Sequence, residues 1–311
     1  MKKYFPLIAN LISQTIFGFG YLFIKIGMEV VDQNSVKFLS FRFGLGFLAL
    51  TLILLMGIKK VHYKGMPVKL ILLCGLFNPM ISQIVETTST TYAPTSQISM
   101  YNSLMPVIML IFSALINHEY PTRRQLLFVL VTVVGVFITT LADKSESGLT
   151  ALGFILIIGT MVSVSLNRVL VRRASAIFSS FEITYITTAM GAVFFNILSI
   201  GGHLSHAPLA AYFEGLMEPQ FFIAVFYMGI GSCVAAFLLM TYASANLPFA
   251  VYSSTCTWST VVGILSGVFL LHEIFHAEEV IGLIIILIGI IGISLSYDKG
   301  DSEGNRFHLN K

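Results

Sequence analysis

Between Pro6 and Tyr297, proline, glycine and charge divide the chain into ten apolar runs. Each is close to the roughly 20 helical residues that a bilayer core requires. They lie near 6–27, 36–58, 68–91, 95–117, 123–141, 150–171, 181–201, 220–242, 248–271 and 278–297. Hydrocarbon offers no partner to a backbone amide, so runs of this kind become helices that satisfy their own hydrogen bonds. Only 11% of the 311 residues are charged and mean hydropathy is +0.87, whereas soluble domains are about a quarter charged. Water cannot be the solvent for most of this surface. The N-terminus, Met1-Lys2-Lys3 followed by an apolar run, imitates a signal peptide but continues past Gly27 without a small-residue cleavage site. It reads as a retained first span.

The ten runs divide into two sets of five. Pro94 leads through an apolar run to His118-Glu119 and Gly135, and Pro248 leads through another to His272-Glu273 and Gly289, all at an offset of 154. Phe17-Gly18 to Lys25 matches Val164-Ser165 to Arg172 at an offset of 147, the difference reflecting loops of unequal length. Five spans per half is an odd number, so the second copy enters the bilayer from the opposite side. The expected architecture is an all-α polytopic membrane protein of ten transmembrane helices, arranged as two inverted five-helix repeats around a central cavity. Residues 1–144 form the first repeat, 145–299 the second, and 300–311 a cytoplasmic tail.

Basic residues set the orientation. With the N-terminus inside, cytoplasmic segments hold 14 of the 18 Lys and Arg residues: Lys2, Lys3, Lys59, Lys60, Lys64, Lys69, Arg123, Arg124, Arg168, Arg172, Arg173, Lys299, Arg306 and Lys311. Lys37 and Lys144 fall outside, and the longest loop, near 202–219, carries neither Lys nor Arg. Both termini are therefore expected in the cytoplasm.

The motifs resemble a known family. Ile16-Phe17-Gly18-Phe19-Gly20-Tyr21-Leu22-Phe23-Ile24-Lys25 is similar to the opening Trp-Gly to Lys pattern of EamA-type proteins in the drug/metabolite transporter superfamily, with Phe17 at the Trp position. Phe41-Arg42-Phe43 resembles that family's Arg-Phe in the second span, and Glu119 and Glu273 resemble its Glu after the fourth and ninth. Val164 stands at the second Trp position, and Asn167 and Arg168 are polar departures in the sixth span. The resemblance implies a secondary transporter of the cytoplasmic membrane that moves a small organic metabolite by alternating access, and it favours export.

A polar side chain in hydrocarbon must face protein or a watery cavity, so polar stripes mark interior faces. Asn78, Ser82 and Glu86 recur every four residues in the third run, beside Pro79, and Glu86 is the candidate proton carrier or cation-attracting group. Its repeat mate is Met240, so the halves differ chemically. Gln14, Gly18, Tyr21 and Lys25 share one face of the first run. The fourth run opens with Gln97, Tyr101 and Asn102, and its mate opens with Tyr252 and the sole tryptophan, Trp258. With Tyr227, these rings suit a planar, amphipathic or cationic substrate through stacking and cation–π contact. An amino acid, or an aromatic or cationic amphiphile, is the expected substrate class.

Lys25 and Arg42 read as snorkelling cations near the outer ends of their runs, with Glu29 or Asp32 as partners. Arg168 is either an anion-attracting group or a topology determinant. Cys74, Cys233 and Cys256 lie in apolar runs as small hydrophobes. Gly263 and Gly267 form a GxxxG that suits helix packing, within a monomer or across a homodimer.

Competing classes are few. His272-Glu273-Ile274-Phe275-His276 fits H-E-x-x-H, a zinc protease signature, but its mate His118-Glu119-Tyr120-Pro121-Thr122 lacks the second His. A sugar-phosphate or nucleotide-sugar exchanger of the same superfamily would need several cations in the cavity, where only Lys25, Arg42 and Arg168 are candidates. No P-loop occurs, and no basic block interleaved with aromatics points to nucleic acid. The expectation is a carrier without cofactor or resident metal, with the bilayer and a small molecule as its partners.

Overall fold

A computed structural model describes residues 4–59, 61–63, 66–102, 104–118, 120, 122–142, 150–204, 212–272 and 277–295. Glu119, Glu273 and His276, together with the 300–311 tail, lie outside the described residues. Among the described residues the regular structure is all helical. The first half contains α1 (Phe5–Val30), α2 (Ser35–Leu55), α3 (Lys69–Gly75), a π-helical turn (Leu76–Ile81), α4 (Ser82–Ser89), α5 (Thr95–Asn102), α6 (Met105–Ile116) and α7 (Arg123–Ala142). The second half repeats the order: α8 (Ala151–Ala174), α9 (Ser180–Leu204), α10 (Pro219–Phe226), a π-helical turn (Tyr227–Ala236), α11 (Phe237–Asn246), α12 (Phe249–Thr255), α13 (Trp258–Leu270) and α14 (Ala277–Leu295).

Among the described residues, seven stretches are long and apolar enough to cross a membrane. In the fourth, fifth and tenth runs the apolar helices are shorter, at Met105–Ile116, Leu126–Gly135 and Val280–Gly289. The surface is inverted relative to a soluble protein. Leu55, Leu115, Leu127, Ile197, Phe226 and Ile291 are exposed, while Asn10, Gln14, Arg42, Ser82, Thr87 and Ser232 are buried. That distribution suits a lipid solvent, in which polarity is driven inward.

Local chemistry fixes the ends. Asn34 caps α2 by accepting from Lys37 N at 3.0 Å, and Thr150 caps α8 through Gly153 N at 3.0 Å. Ser179 and Glu182 make a reciprocal capping box on α9, and the other oxygen of Glu182 accepts from His62 N at 2.7 Å, tying the α2–α3 connection down. Pro79 has no amide hydrogen, and the helix is kinked beside it at Asn78, whose backbone is not helical. The polar residues of α8 take up the carbonyls left near that break: Asn167 Nδ2 donates to Cys74 O at 2.8 Å and Ser163 Oγ to Phe77 O at 2.8 Å. This gives Asn167 a structural reason for its place in an apolar run.

Packing is symmetric under exchange of the halves. Helix α1 packs on α11 and on α13, and correspondingly α8 packs on α4 and on α6. Helix α2 pairs with α9, and α7 with α14. Two close approaches rest on glycine: a Cβ at Gly18 would overlap Val262 and Ser259 O, and one at Gly263 would overlap Ser99 Oγ. Gly263 therefore serves packing inside the chain. The three cysteines are buried and free.

His118 and His272, picked out by their offset, have φ of 56° and 54° and lie just past α6 and α13. Left-handed residues end helices by turning the chain away, a position glycine fills without steric cost. The duplicated His is thus a duplicated helix stop. His272→Val should lower stability by about 1–2 kcal/mol, the cost of a left-handed residue, while His272→Gly should leave it unchanged or raise it. Thermal denaturation in detergent checks the pair of variants.

A polar cavity lined by both halves

Pro79 and the π-helical turn matter because of what they aim. Asn78 sits in the turn with non-helical φ −146° and ψ 116°, and the next cavity-facing residue, Gln83, is five positions on. Glu86 follows one α-helical turn later. All three face a central cavity of about 60 Å³, room for a few water molecules.

Its lining residues come in repeat pairs. Phe17 with Val164 and Tyr21 with Arg168 are offset by 147; Asn78 with Ser232, Gln83 with Phe237, Glu86 with Met240 and Met105 with Ser259 are offset by 154. The cavity lies where the two copies meet. The first half supplies Glu86 together with Arg42, and the second supplies Arg168 and a sulfur- and ring-lined apolar wall.

A continuous chain of hydrogen bonds runs along the first wall. Arg42 Nη1 donates to Gln83 Oε1 at 2.5 Å, and Gln83 Nε2 donates to Glu86 Oε2 at 2.8 Å. Tyr21 Oη donates to Glu86 Oε1 at 3.0 Å, and Asn102 Nδ2 donates to Tyr21 Oη at 2.5 Å. Arg42 Nη2 reaches across the halves to Ser232 Oγ at 3.0 Å, with its guanidinium 5.2 Å from the Phe43 ring centroid. Both carboxylate oxygens of Glu86 are engaged. Asn78 Oδ1 and Asn102 Oδ1 are buried without a partner and remain as acceptors.

Of the residues singled out in the sequence, Tyr21, Asn78, Glu86 and Asn102 meet in this cavity. The others are placed elsewhere. Gln14 lies two turns away on α1, roughly 10 Å along the axis, hydrogen-bonded near Asn10 and Ser13. Ser82 and Gln97 are buried outside the lining, and the Tyr101 ring sits edge-on to Phe154 at 5.7 Å. Tyr252 is in the core beside Phe249, its carbonyl accepting from Asn10. Tyr227 stacks on Phe23 at 4.0 Å and donates to Ile16 O. Trp258 is 44% exposed and donates to Thr15 Oγ1 at 2.9 Å, facing away from the cavity. The expected aromatic cage of Tyr101, Tyr227, Tyr252 and Trp258 is therefore not what surrounds the cavity; Phe17, Phe237, Met228 and Met240 are.

Arg42, Gln83, Arg168 and Ser232 line the site and were not anticipated as a set. Arg42 does not snorkel: it is 2% exposed and bound to Gln83 and Ser232 rather than to Glu29 or Asp32. Arg168 is not an interfacial topology determinant; it is 8% exposed and faces the cavity. Arg172, by contrast, holds the end of α11 through Ser244 O and Leu247 O. Among the described residues no cluster of His, Cys, Asp and Glu is arranged to hold a metal. His272 is left-handed, so the first histidine of the H-E-x-x-H match does not have the helical conformation that motif needs.

The EamA-like transporter family model matches residues 5–141 and again 151–295. The chain belongs to the EamA-like transporter family. It is 26% identical over 293 residues to the uncharacterized transporter YcxC of Bacillus subtilis (strain 168), an alignment covering 94% of this chain and 93% of that protein. A protein of known crystal structure is 17% identical and shares the fold, with a TM-score of 0.64 over 91% of this chain and 98% of its own. The two matched segments coincide with the two halves described above, and the chain is a multi-pass membrane transporter, not an enzyme.

Replacing Gln83 by Leu would take one hydrogen-bond partner from Arg42 and one from Glu86, leaving Arg42 with Ser232 and Glu86 with Tyr21. Hydrogen bonds to charged groups contribute roughly 1.5–3 kcal/mol each, so Gln83→Leu should cost about 3 kcal/mol or more. The loss reads directly as a lowered unfolding midpoint in detergent.

Proposed function

We propose that this EamA-family transporter is a secondary carrier that moves a small organic metabolite across the cytoplasmic membrane by alternating access, in the direction of export. Its two halves act as inverted five-span repeats, and both termini face the cytoplasm. The single observation that supports this most is the cavity: a carboxylate and two guanidinium groups inside an apolar helical bundle, lined in pairs by both copies. Charged side chains at such depth are costly and mark substrate or ion paths.

The cavity's size bears on mechanism. Binding sites for organic ligands usually measure about 300–1,000 Å³, and about 60 Å³ is too little for an amino acid or amphiphile. The arrangement corresponds to a closed conformation, and a substrate enters when the halves part. Within it Tyr21, Asn78, Asn102 and Glu86 are the polar groups proposed to orient the substrate, and Phe237, Met228 and Met240 receive its apolar part. Glu86 is the proposed proton carrier. A sugar-phosphate exchanger is less well supported, because Arg42 is already committed to Gln83 and Ser232.

Metabolites that raise the thermal midpoint of the purified protein identify candidate ligands, since binding to one state shifts the midpoint by mass action. The hits are then followed in proteoliposomes with an imposed pH gradient. Wild type should exchange the stabilising ligand with a rate that depends on pH, and Glu86→Gln should transport without that dependence. Unchanged pH dependence in Glu86→Gln rules out proton coupling through this residue, and absence of transport for every stabilising ligand rules out the carrier reading.

A further inference from the structure

Two guanidinium groups reach the cavity in different circumstances. Arg42 is committed, with one amino group on Gln83 Oε1 and the other on Ser232 Oγ. Arg168 comes from the opposite half, at the position that Tyr21 holds in the first copy. Its neighbours Val169, Leu170 and Val171 along α8 are buried, whereas Arg168, like Val164, lines the cavity, and its side chain also hydrogen-bonds Cys256. It is close enough to interact electrostatically with Cys256, Tyr252, Tyr21 and Glu86. Both oxygens of Glu86 are already taken by Tyr21 and Gln83, and among the described residues no carboxylate forms an ion pair with Arg168.

A guanidinium in a membrane interior is incompletely compensated when the carboxylate nearby already has both oxygens engaged, and its planar fork matches a further carboxylate with two parallel hydrogen bonds. We infer that Arg168 binds a carboxylate group of the substrate, so that the carrier selects metabolites that bear one. The inference rests on the proposed placement of the substrate in this cavity. With Arg42 and Arg168 cationic and Glu86 ionised, the site carries one net positive charge. In that ionised state one carboxylate neutralises it and a phosphate dianion overshoots, and in either protonation state of Glu86 a purely cationic amphiphile adds to the imbalance. The apolar wall of Met228, Phe237 and Met240 stands on the same half as Arg168 and suits the body of such a metabolite.

The test uses the full-length protein in detergent at fixed ionic strength, with acetate, inorganic phosphate and methylammonium as probes of thermal stability. Acetate should raise the midpoint of wild type saturably, and phosphate and methylammonium should not. Arg168→Gln should weaken the acetate response about tenfold or more, and Arg168→Lys by less, because it keeps the charge and loses the fork. No acetate response in wild type, an equal response in Arg168→Gln, or a stronger response to phosphate overturns the assignment. If Arg168→Gln does not yield folded protein, Arg168→Lys decides, and unchanged acetate affinity in that variant overturns it. The readout does not depend on transport. An Arg168-dependent acetate response in a protein that carries nothing across proteoliposomes removes only the transport reading, whereas undiminished carriage of a carboxylate metabolite by Arg168→Lys removes only this one.

Discussion

The amide of Gln83 is what makes the interior of this bundle possible. Arg42 is buried and Glu86 half-buried in a medium where a bare charge is penalised by several kcal/mol even after relaxation, and no hydrogen bond joins them directly. Gln83 lies between them, its carbonyl facing the guanidinium and its amino group facing the carboxylate. The opposite orientation would set donor against donor and acceptor against acceptor, so chemistry allows only one. Tyr21 and Asn102 extend the chain into α1 and α5, and Ser232 ties Arg42 to the second half. Five rods of the bundle are thereby registered by one network, which is why a single amide can affect both stability and the site.

The duplication supplies the frame and its divergence supplies the chemistry. His118 and His272 hold the same left-handed turn in both copies, both third-position rods carry a π-helical turn, and α1 and α8 make matching contacts. At the cavity the copies part company. Glu86 in the lining corresponds to Met240, Gln83 to Phe237, and Tyr21 to Arg168. A scaffold constrained by packing tolerates little change, whereas a lining residue meets open space and is free to diverge in charge and polarity.

Much of this was legible in the sequence because an apolar solvent makes polarity conspicuous. Tyr21, Asn78, Glu86 and Asn102 stand out in apolar runs, and the structure brings them together. Ser82 was placed on the same face because an α-helix repeats every 3.6 residues. The π-helical turn adds a residue, so the face runs Asn78, Gln83, Glu86, and Ser82 points elsewhere. The same spacing recurs in the second copy as Ser232, Phe237, Met240. Pro79 was the visible warning of a break, but not of its width. Arg42 resembled a snorkelling cation because its partners come from rods 41 and 190 residues away in sequence, a relation no local pattern encodes. Tyr101, Tyr252 and Trp258 were grouped with the cavity on the polarity of their segments, although a ring's direction depends on the break between α5 and α6, or α12 and α13, which sequence periodicity does not set.

The two seams that join the halves are related by the duplication and are nonetheless unequal. Between α1 and the α12–α13 rod, Asn10 Nδ2 donates to Thr255 Oγ1 at 2.6 Å and Trp258 Nε1 to Thr15 Oγ1 at 2.9 Å. Between α8 and the α5–α6 rod the bonds fall at positions that do not match those four and are longer, Ser165 Oγ to Met105 O at 3.5 Å and Asn117 Nδ2 to Val169 O at 3.4 Å. Identical halves in the proposed inverted arrangement would give two conformations of equal energy, one for each seam opened. A ligand shifts such an equilibrium only by its differential affinity for the two states. In the proposed carrier a difference between the seams would set a resting preference before any substrate binds, so that the side on which it waits would be a property of α1 and α13 as much as of the cavity between them.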